Sequence, residues 1–334
     1  MRKPQDQQLI GESPVFLEVL EHVSRVAPLN RPVLVIGERG TGKELIAARI
    51  HFLSGRWDNP FIKMNCAALA ESLLETELFG HEAGSFTGAA KRRLGRFELA
   101  NNGSLFLDEL SSTSSGVQEK ILRVIEYGEF ERVGGSETIR TNVRIIGATN
   151  EDLPELAANG KFRADLLDRL AFDVITLPPL RERPNDIMTL ADHFAVKMTV
   201  ELGKDIFNGF SEQAKDTLMN YRWPGNVREL KNVVERAVYS NQDDDQAVSE
   251  IVFDPFESPW RPGTSGADEK PETQSLPDKP YDLKQSIQDE EVRRIKSALE
   301  HCRFNQKKTA DFLGMTYHQL RGYLRKYDLT ESGE

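Results

Sequence analysis

A glycine-rich turn lies between a short apolar run and a helical pattern near the start of this 334-residue chain. A strand, a glycine-rich turn and a helix N-terminus in this order form a phosphate-binding P-loop, because glycines let backbone N–H groups converge on phosphate oxygens. In this setting Lys43 would reach the β- and γ-phosphates of a nucleotide. A chance glycine-rich turn is the alternative. The sequence therefore predicts a nucleotide site formed by Gly37, Glu38, Arg39, Gly40, Thr41, Gly42, Lys43 and Glu44.

Five short apolar or β-branched runs alternate with longer helical patterns over the first 180 residues. The runs cover residues 33–37, 61–66, 104–108, 143–149 and 174–177. Each run is continuous rather than alternating with polar residues, as in strands that are buried on both faces. The pattern predicts an α/β fold with a parallel sheet covered by helices. Three further helical patterns, at residues 186–202, 211–221 and 226–239, predict a small helical lid.

Composition indicates where these regions end. Six prolines and an acidic run interrupt any periodicity between residues 241 and 282, which indicates a flexible linker, with an acidic interaction tail as the alternative. Helical periodicity then returns. We therefore expect a short N-terminal tail (1–8), an α/β subdomain (9–180), the lid (181–240), the linker (241–282) and a small all-α domain (283–334).

Charge and cysteine content exclude several classes of protein. The net charge of −10 argues against a protein that coats nucleic acid along a broad basic surface, so any DNA contact must be local. The two cysteines, Cys66 and Cys302, are too few for a disulfide framework and fit a reducing compartment. No apolar run approaches the roughly 18 residues of a membrane helix. We expect a cytoplasmic protein.

The apolar run at residues 104–108 ends in two consecutive carboxylates, Asp108 and Glu109. With a P-loop upstream in the chain, such carboxylates are expected to lie beside the phosphates. Asp108 would then bind Mg²⁺, and Glu109 would act as the base that activates the attacking water. Without a P-loop, two acidic residues at this position would ordinarily only mark the polar end of a strand.

Residues 84–89 read Gly-Ser-Phe-Thr-Gly-Ala and lie between these two motifs. Two glycines around Phe86 and Thr87 carry too little side chain to build a core, yet they place an aromatic ring where a mobile tip is expected. The segment therefore predicts a finger that contacts another molecule. A second glycine-rich turn, at residues 133–136, is expected to support it. The alternative is a disordered surface loop that contacts no other molecule.

These three motifs, in this order, closely resemble the bacterial enhancer-binding proteins, AAA+ ATPases that remodel sigma-54 RNA polymerase. The loop of that family reads Gly-Ala-Phe-Thr-Gly-Ala, so Ser85 stands where alanine is usual. The resemblance implies ATP and Mg²⁺ as cofactors and assembly into a ring, expected to be a hexamer. The generic P-loop motif ends in Ser or Thr, whose hydroxyl binds magnesium, whereas this chain has Glu44. Family members usually carry glutamate at this position too, and the magnesium ligand that the hydroxyl would supply is left open. The resemblance also implies that sigma-54 is contacted by Gly84, Ser85, Phe86, Thr87, Gly88 and Ala89.

The resemblance assigns roles to three residues at the ends of two further strands. It implies that Asn65 pairs with Glu109 and restrains it, whereas from its type alone Asn65 would be a turn former. It implies that Thr149 and Asn150 probe the γ-phosphate as sensor I. A capped strand end is the alternative for this pair.

Three arginines are also implied by the resemblance. Arg163 and Arg169 would lie at the interface between protomers and reach the ATP of the neighbour, so that hydrolysis depends on assembly. Ion pairs with nearby acids, such as Asp165, are the alternative. Arg228 would contact bound nucleotide from the lid as sensor II, in the first turn of a helix whose expected N-cap is Asn226.

The C-terminal region has the pattern of a helix-turn-helix. Two helical patterns, at residues 305–312 and 316–326, flank a turn, and Ala310, Gly314 and Leu320 have the spacing that close helix crossing requires. Thr316 and Gln319 form a capping-box pattern. An excess of basic residues predicts a DNA surface, with a helical hairpin for protein contacts as the alternative. The candidate DNA-binding residues are Lys307, Lys308, Thr316, Tyr317, His318, Gln319, Arg321 and Arg325.

Control of this protein is expected to come from outside the chain, since the AAA+ pattern begins at residue 9. The resemblance is nearest to the phage shock (membrane stress) activators of the family, which implies an inhibitory partner resembling phage shock protein A. Trp57, beside polar residues in a turn, is a candidate contact for that partner. A tryptophan packed under its own loop is the alternative.

The sequence as a whole predicts a sigma-54-dependent transcription activator. It would bind upstream enhancer DNA with inverted repeats, because the helix at residues 287–299 is expected to dimerise the C-terminal module. It would then use ATP hydrolysis to convert the sigma-54 RNA polymerase closed complex to the open complex. The alternatives are another AAA+ remodeller with an accessory DNA domain and a DNA-binding repressor with a vestigial ATPase. Phe86 and Thr87 discriminate between them.

Overall fold

The computed structural model describes residues 9–86, 89, 91–241, 246–256, 283–302 and 304–327, and the chain divides into two compact units. The first unit ends at Pro255, and the second begins at Phe256. The expected N-terminal tail, most of the expected linker, and Thr87 and Gly88 of the glycine-rich finger lie outside the described residues.

The first unit alternates strands and helices before it becomes helical. Its elements are, in chain order, α1 (Pro14–Val26), β1 (Val33–Ile36), α2 (Lys43–Phe52), β2 (Phe61–Asn65), α3 (Glu71–Phe79), β3 (Gly80–His81), β4 (Arg93–Leu94), α4 (Arg96–Leu99), β5 (Ser104–Asp108), α5 (Ser115–Tyr127), β6 (Glu129–Glu131), β7 (Thr138–Arg140), β8 (Arg144–Thr149), α6 (Leu153–Ala158), α7 (Ala164–Leu170), β9 (Val174–Thr176), α8 (Asn185–Glu201), α9 (Glu212–Asn220) and α10 (Asn226–Ser240).

The five predicted strands form one parallel sheet in the order β2, β5, β8, β1, β9. The α/β fold with a parallel sheet and a helical lid is therefore confirmed. Asn65 is in register with Asp108, and Ile36 with Thr149, at the carboxyl ends of their strands. These ends meet at one edge of the sheet, where ligands of open α/β sheets bind.

The three central strands of the sheet, β5, β8 and β1, are buried on both faces, as their continuous apolar runs predict. In β5, Leu105 and Leu107 belong to one hydrophobic cluster, whereas Phe106 between them belongs to the cluster on the opposite face. Successive strand residues point to opposite faces, so a run with no polar member is needed to fill two cores. This packing fixes the sheet edge that carries the candidate site.

The lid is longer than composition predicts. Its helices α8, α9 and α10 pack around Trp223, and residues 246–256 extend this core. Val248 forms a bridge with Phe210, and the ring of Phe253 stacks on Tyr221 at 4.0 Å. The expectation that the linker begins at residue 241 is thus wrong for residues 246–256. The few apolar residues of this segment anchor it to the lid, although acidic and proline residues surround them.

In the described part of the second unit there are three helices, α11 (Leu283–His301), α12 (Gln306–Phe312) and α13 (Tyr317–Lys326). Their core includes Ala310 and Leu320, as the spacing predicts. Gly314 in the turn has a φ of 68°, which glycine adopts without steric cost. The predicted capping box of Thr316 and Gln319 is present at the start of α13. The unit is therefore a helix-turn-helix module.

Among the described residues, no helix is long and apolar enough to cross a membrane.

Candidate nucleotide site, contact loop and DNA-binding surface

The P-loop connects β1 to α2 as predicted. Gly40 and Gly42 have φ angles of 79° and 102°, a region that favours glycine, and α2 begins directly after them. Lys43 is only 8% exposed, and its Nζ donates to the carbonyl oxygens of Gly37 at 2.8 Å and Glu38 at 3.2 Å. Burial lowers the pKa of Lys43, while the nearby Asp108 and Glu109 oppose that shift. The ammonium is thus held inside the loop by weak neutral acceptors that phosphate oxygens can replace.

The two carboxylates follow β5 directly. The Glu109 backbone has a φ of 53°, which is a strained conformation for a residue other than glycine. Its N–H donates to Asp108 Oδ1 at 3.1 Å, and its carbonyl oxygen accepts from Ser112 Oγ. The Glu109 side chain lines a cavity of about 340 Å³ together with Asn65, Asn150 and Arg39. The strained turn therefore directs Glu109 into the space beside the P-loop.

Three polar residues from neighbouring strand ends reach the same edge. Asn65 Oδ1 accepts from the N–H of Ala67 at 2.9 Å, as a turn former does, and Asn65 lines the same cavity as Glu109, so that their pairing stays a prediction. Asn150 Oδ1 is buried and finds no hydrogen-bond partner among the described residues. Thr149 is fully buried and bonded to Ser111 Oγ at 3.1 Å. Asn150 is therefore available to a ligand, whereas Thr149 braces the strand end.

Two acidic residues of the P-loop motif point away from its centre. Glu44 Oε1 accepts from Lys63 Nζ at 2.8 Å. The Glu38 carboxylate pairs with Arg181, whose two terminal nitrogens lie 2.6 and 3.0 Å from its oxygens. The hydrogen bonds from Arg181 and then Asn226 hold the pKa of Glu38 below its usual value.

Asn226 does not cap α10, contrary to the sequence expectation. It is the first residue of that helix, has a φ of 53° and is fully buried, and Gly225 stands at the N-cap. Its Oδ1 accepts from the Leu180 N–H at 2.8 Å, and its Nδ2 donates to Glu38 Oε2 and to the Arg39 carbonyl oxygen, both at 3.0 Å. Asn226 thereby joins the lid to the P-loop. The exposed Arg228 follows it in the same turn.

An apolar cavity of about 150 Å³ lies between the P-loop helix and the lid. Its walls suit a flat heterocyclic base next to the phosphate site. Sequence reasoning missed it, since its lining comes from separate segments with no local motif. The apolar lining includes Ile10, Leu45, Ile46, Leu190, Phe194 and Val227.

The two candidate interface arginines do not line the cavity of Glu109. Arg163 pairs with Asp165 at 2.7 Å, and this hydrogen bond raises the pKa of the guanidinium. Arg169 pairs with Glu126 at 2.9 Å. Within one protomer both therefore form ordinary ion pairs, and their role between protomers stays a prediction.

The glycine-rich finger projects between β3 and β4, which pair as an antiparallel hairpin. The Gly84 N–H donates to the Ala89 carbonyl oxygen at 2.8 Å, and the Ala89 N–H donates to that of Phe86 at 3.0 Å. Phe86 is 43% exposed, and one side of its ring contacts His81 at 5.0 Å. Ser85 Oγ donates to the Glu82 carbonyl oxygen at 2.9 Å. The aromatic ring is thus presented on a closed turn.

The second glycine-rich turn supports the first. The Glu82 N–H donates to the Val133 carbonyl oxygen at 3.2 Å. A Cβ at Gly134 would come within 2.5 Å of Ser85 Cβ, so only glycine allows this approach. Arg132, 4% exposed, then ties the finger to the core through Glu82 at 2.8 Å and Glu98 at 2.5 Å.

The helix-turn-helix module exposes a basic surface. Lys307, Lys308, His318, Arg321 and Arg325 are all exposed. The guanidinium of Arg321 lies 5.8 Å from the centre of the Tyr317 ring. The side chain of Gln319 is engaged in the capping box, where its Oε1 accepts from the Thr316 N–H at 2.9 Å.

Family models match three successive segments of the chain. Residues 9–176 match the sigma-54 interaction domain, residues 181–257 the AAA+ ATPase lid domain, and residues 286–327 the Fis family of bacterial regulatory proteins. The first match covers half of the chain and contains the P-loop, both carboxylates and the finger.

This chain is a sigma-54-dependent transcriptional activator of the enhancer-binding protein type.

Similar proteins agree with this assignment. The activator is 57% identical over 321 residues to the Psp operon transcriptional activator of Escherichia coli (strain K12), with 96% of this chain and 98% of that protein covered. It is 44% identical over 315 residues to the Nif-specific regulatory protein of Azotobacter vinelandii, of which it spans 58%. The activator is also similar to the crystal structure of NtrX from Brucella abortus in complex with ATP, with 32% sequence identity and a TM-score of 0.69. The match covers 96% of this chain and 69% of the NtrX chain.

Trp57 of the activator is 63% exposed. The alternative that it packs under its own loop is therefore wrong. Its contact with a partner stays a prediction.

Proposed function

We propose that this activator binds upstream DNA, assembles into a ring and uses ATP hydrolysis to remodel the sigma-54 RNA polymerase closed complex at phage shock genes. The observation that carries the proposal is the exposed Phe86 on a finger whose stem is fixed to the ATPase core by the buried Arg132. A change in the core can therefore reach the finger. The close relation to the Psp operon activator supports the choice of genes.

ATP would bind with its phosphates at the P-loop and its base in the apolar cavity below the lid. Lys43 would exchange the carbonyl oxygens of Gly37 and Glu38 for phosphate oxygens, which gives its buried charge a charged partner. Asn150, with its unpartnered oxygen, would orient the attacking water, and Glu109 would accept its proton. NtrX binds ATP on a similar fold.

Magnesium fits this site through Asp108. The described residues hold no cluster of three or more acidic, histidine or cysteine ligands, but Mg²⁺ usually needs one or two carboxylates together with substrate phosphates. Asp108 has one oxygen bonded to the Glu109 N–H and so retains acceptor capacity. Bound Mg²⁺ would neutralise charge on the phosphates.

Replacing Phe86 with Ala is expected to weaken the binding of sigma-54 by at least about tenfold, since an aromatic anchor dominates a small contact. The measurement is capture of sigma-54 by the activator with ADP and aluminium fluoride, a transition-state analogue. ATP hydrolysis against protein concentration is followed in parallel to establish assembly. Tyr239→Ala, an exposed aromatic on the lid, is the matched control.

Two outcomes of this experiment would contradict the proposal. Cooperative hydrolysis without capture by the unchanged protein would indicate a different AAA+ client. Absence of hydrolysis at any concentration would indicate a DNA-binding repressor.

The second unit would supply the DNA contacts. The exposed cations of α12 and α13 suit phosphates, while Tyr317, His318 and Arg321 stand near the start of α13, where a recognition helix meets base edges. Binding to a fragment with inverted repeats, compared with a scrambled fragment at the same salt concentration, tests this surface.

Trp57 would be the contact for an inhibitor resembling phage shock protein A. Because the exposed ring of Trp57 contributes little to the core, a partner can bury it without destabilising the fold. Replacing Trp57 with Ala is expected to leave hydrolysis insensitive to that inhibitor. Unchanged inhibition, measured as the ATPase rate against inhibitor concentration, would remove the idea.

A further inference from the structure

We infer that Glu38, Arg181 and Asn226 form a latch that sets the position of the lid over the nucleotide base. Glu38 is then a positioning residue, although it lies within the P-loop motif. The inference rests on the proposed binding of ATP and assigns to this acidic residue a role other than phosphate contact.

Three hydrogen-bond donors converge on the Glu38 carboxylate. Glu38 accepts two hydrogen bonds from Arg181, at 2.6 and 3.0 Å, and a third from Asn226 Nδ2 at 3.0 Å. Both donors belong to segments that follow the sheet. A free carboxylate beside the phosphate site would repel the phosphates of the ligand. The three donors instead hold the Glu38 carboxylate on the side of the lid.

Asn226 is both buried and strained. A fully buried asparagine with a φ of 53° persists only where its surroundings determine it. Its Oδ1 accepts from the N–H of Leu180, where the chain leaves the sheet for the lid, and its Nδ2 donates to Glu38 and Arg39 of the P-loop. One side chain at the start of α10 thus joins the segment that enters the lid to the phosphate loop.

The backbone of the P-loop also approaches the backbone of the lid directly. A Cβ at Gly40 would lie 2.2 Å from the Gly225 carbonyl oxygen, so no larger residue fits there. The N–H of Arg228 also donates to the Gly40 carbonyl oxygen at 3.3 Å. A movement of the P-loop would therefore be transmitted to the turn that carries Arg228.

The consequence concerns the base more than the phosphates. The apolar cavity takes one wall from Leu45 and Ile46 beside the P-loop and the other from Leu190, Phe194 and Val227 of the lid. If the latch is released, these walls no longer hold a fixed separation. Binding energy from the base would fall, while the backbone N–H groups of the P-loop would still meet the phosphates.

The test compares ATP with inorganic triphosphate, which has phosphates but no base. In Glu38→Gln the amide has one acceptor oxygen for three donors, so the Kd for ATP is expected to rise by on the order of tenfold. The Kd for triphosphate is expected to change by less than about twofold, because the phosphate contacts are kept. Both are measured by calorimetry on the full chain. Steady-state kinetics should show the matching rise in KM for ATP with kcat nearly kept.

Arg181→Met provides a second variant at a half-exposed position, in case Glu38→Gln does not fold. Glu212→Gln is the matched control, since Glu212 forms an exposed ion pair with Lys215 elsewhere on the lid. Its affinities for ATP and triphosphate are expected to equal those of the unchanged protein.

Equal weakening of ATP and triphosphate would overturn the latch, because Glu38 would then act at the phosphates. Unchanged affinities in both Glu38→Gln and Arg181→Met would overturn it as well. If the unchanged protein binds neither ligand, the proposed ATPase function fails together with the latch, so the two failures are distinguishable.

Discussion

Replacing Glu109 with Gln is expected to lower the rate of ATP hydrolysis by about 10² to 10⁴, the usual contribution of a positioned general base. The expectation rests on geometry. A left-handed backbone at Glu109 directs the carboxylate into the cavity that also receives Asn65 and Asn150. An amide of the same shape keeps the packing but cannot accept the proton of water. The rate is measured by phosphate release at saturating ATP.

The same variant should still bind ATP, because Lys43 and the P-loop backbone are unchanged. We therefore expect Glu109→Gln to capture sigma-54 with ATP itself, because bound ATP would no longer be hydrolysed. Glu155→Gln, on the exposed face of α6, is the control for loss of a carboxylate. Hydrolysis at more than about a tenth of the original rate would show that Glu109 is not the base.

The sheet and its functional edge could be predicted from sequence because the signals are local. Continuous apolar runs identify strands with two buried faces, and the polar residues that end them must meet at one edge. Asn65 and Asp108 are in register for this reason. The helix-turn-helix could also be predicted, since a small residue, a glycine and a capping box fix its geometry within a few turns of helix.

The contacts between the lid and the P-loop could not be predicted, because they join residues far apart in sequence. Asparagine before a helical pattern is ordinarily an N-cap, and nothing near Asn226 shows that its amide reaches Glu38 and Leu180 instead. The apolar cavity between the P-loop helix and the lid was missed for the same reason. Residues 246–256 were assigned to the linker because composition averages over a window, whereas Val248 and Phe253 pack individually.

If Arg163 reaches the ATP of the neighbouring protomer, replacing it with Ala is expected to reduce ATP hydrolysis by about 10³ or more, the usual contribution of an arginine finger. The structure makes the cause testable, because within a protomer Arg163 pairs with Asp165 and does not line the cavity of Glu109. If the ion pair were its purpose, Asp165→Asn would be as damaging as Arg163→Ala. A surface ion pair usually contributes little to stability, so we expect Asp165→Asn to retain most of the activity.

A mixing experiment separates an arginine that acts on the neighbouring protomer from one that acts on its own. Lys43→Ala protein should be inactive alone because it cannot hold the phosphates, but it still offers Arg163 to its neighbour. Equal amounts of Lys43→Ala and Arg163→Ala are mixed. In a head-to-tail ring formed from the two variants, about a quarter of the interfaces would combine an intact P-loop with an intact arginine. Activity should therefore return on mixing. If Arg163 served only its own protomer, each site in the mixed ring would still lack one of the two groups, and no activity would return.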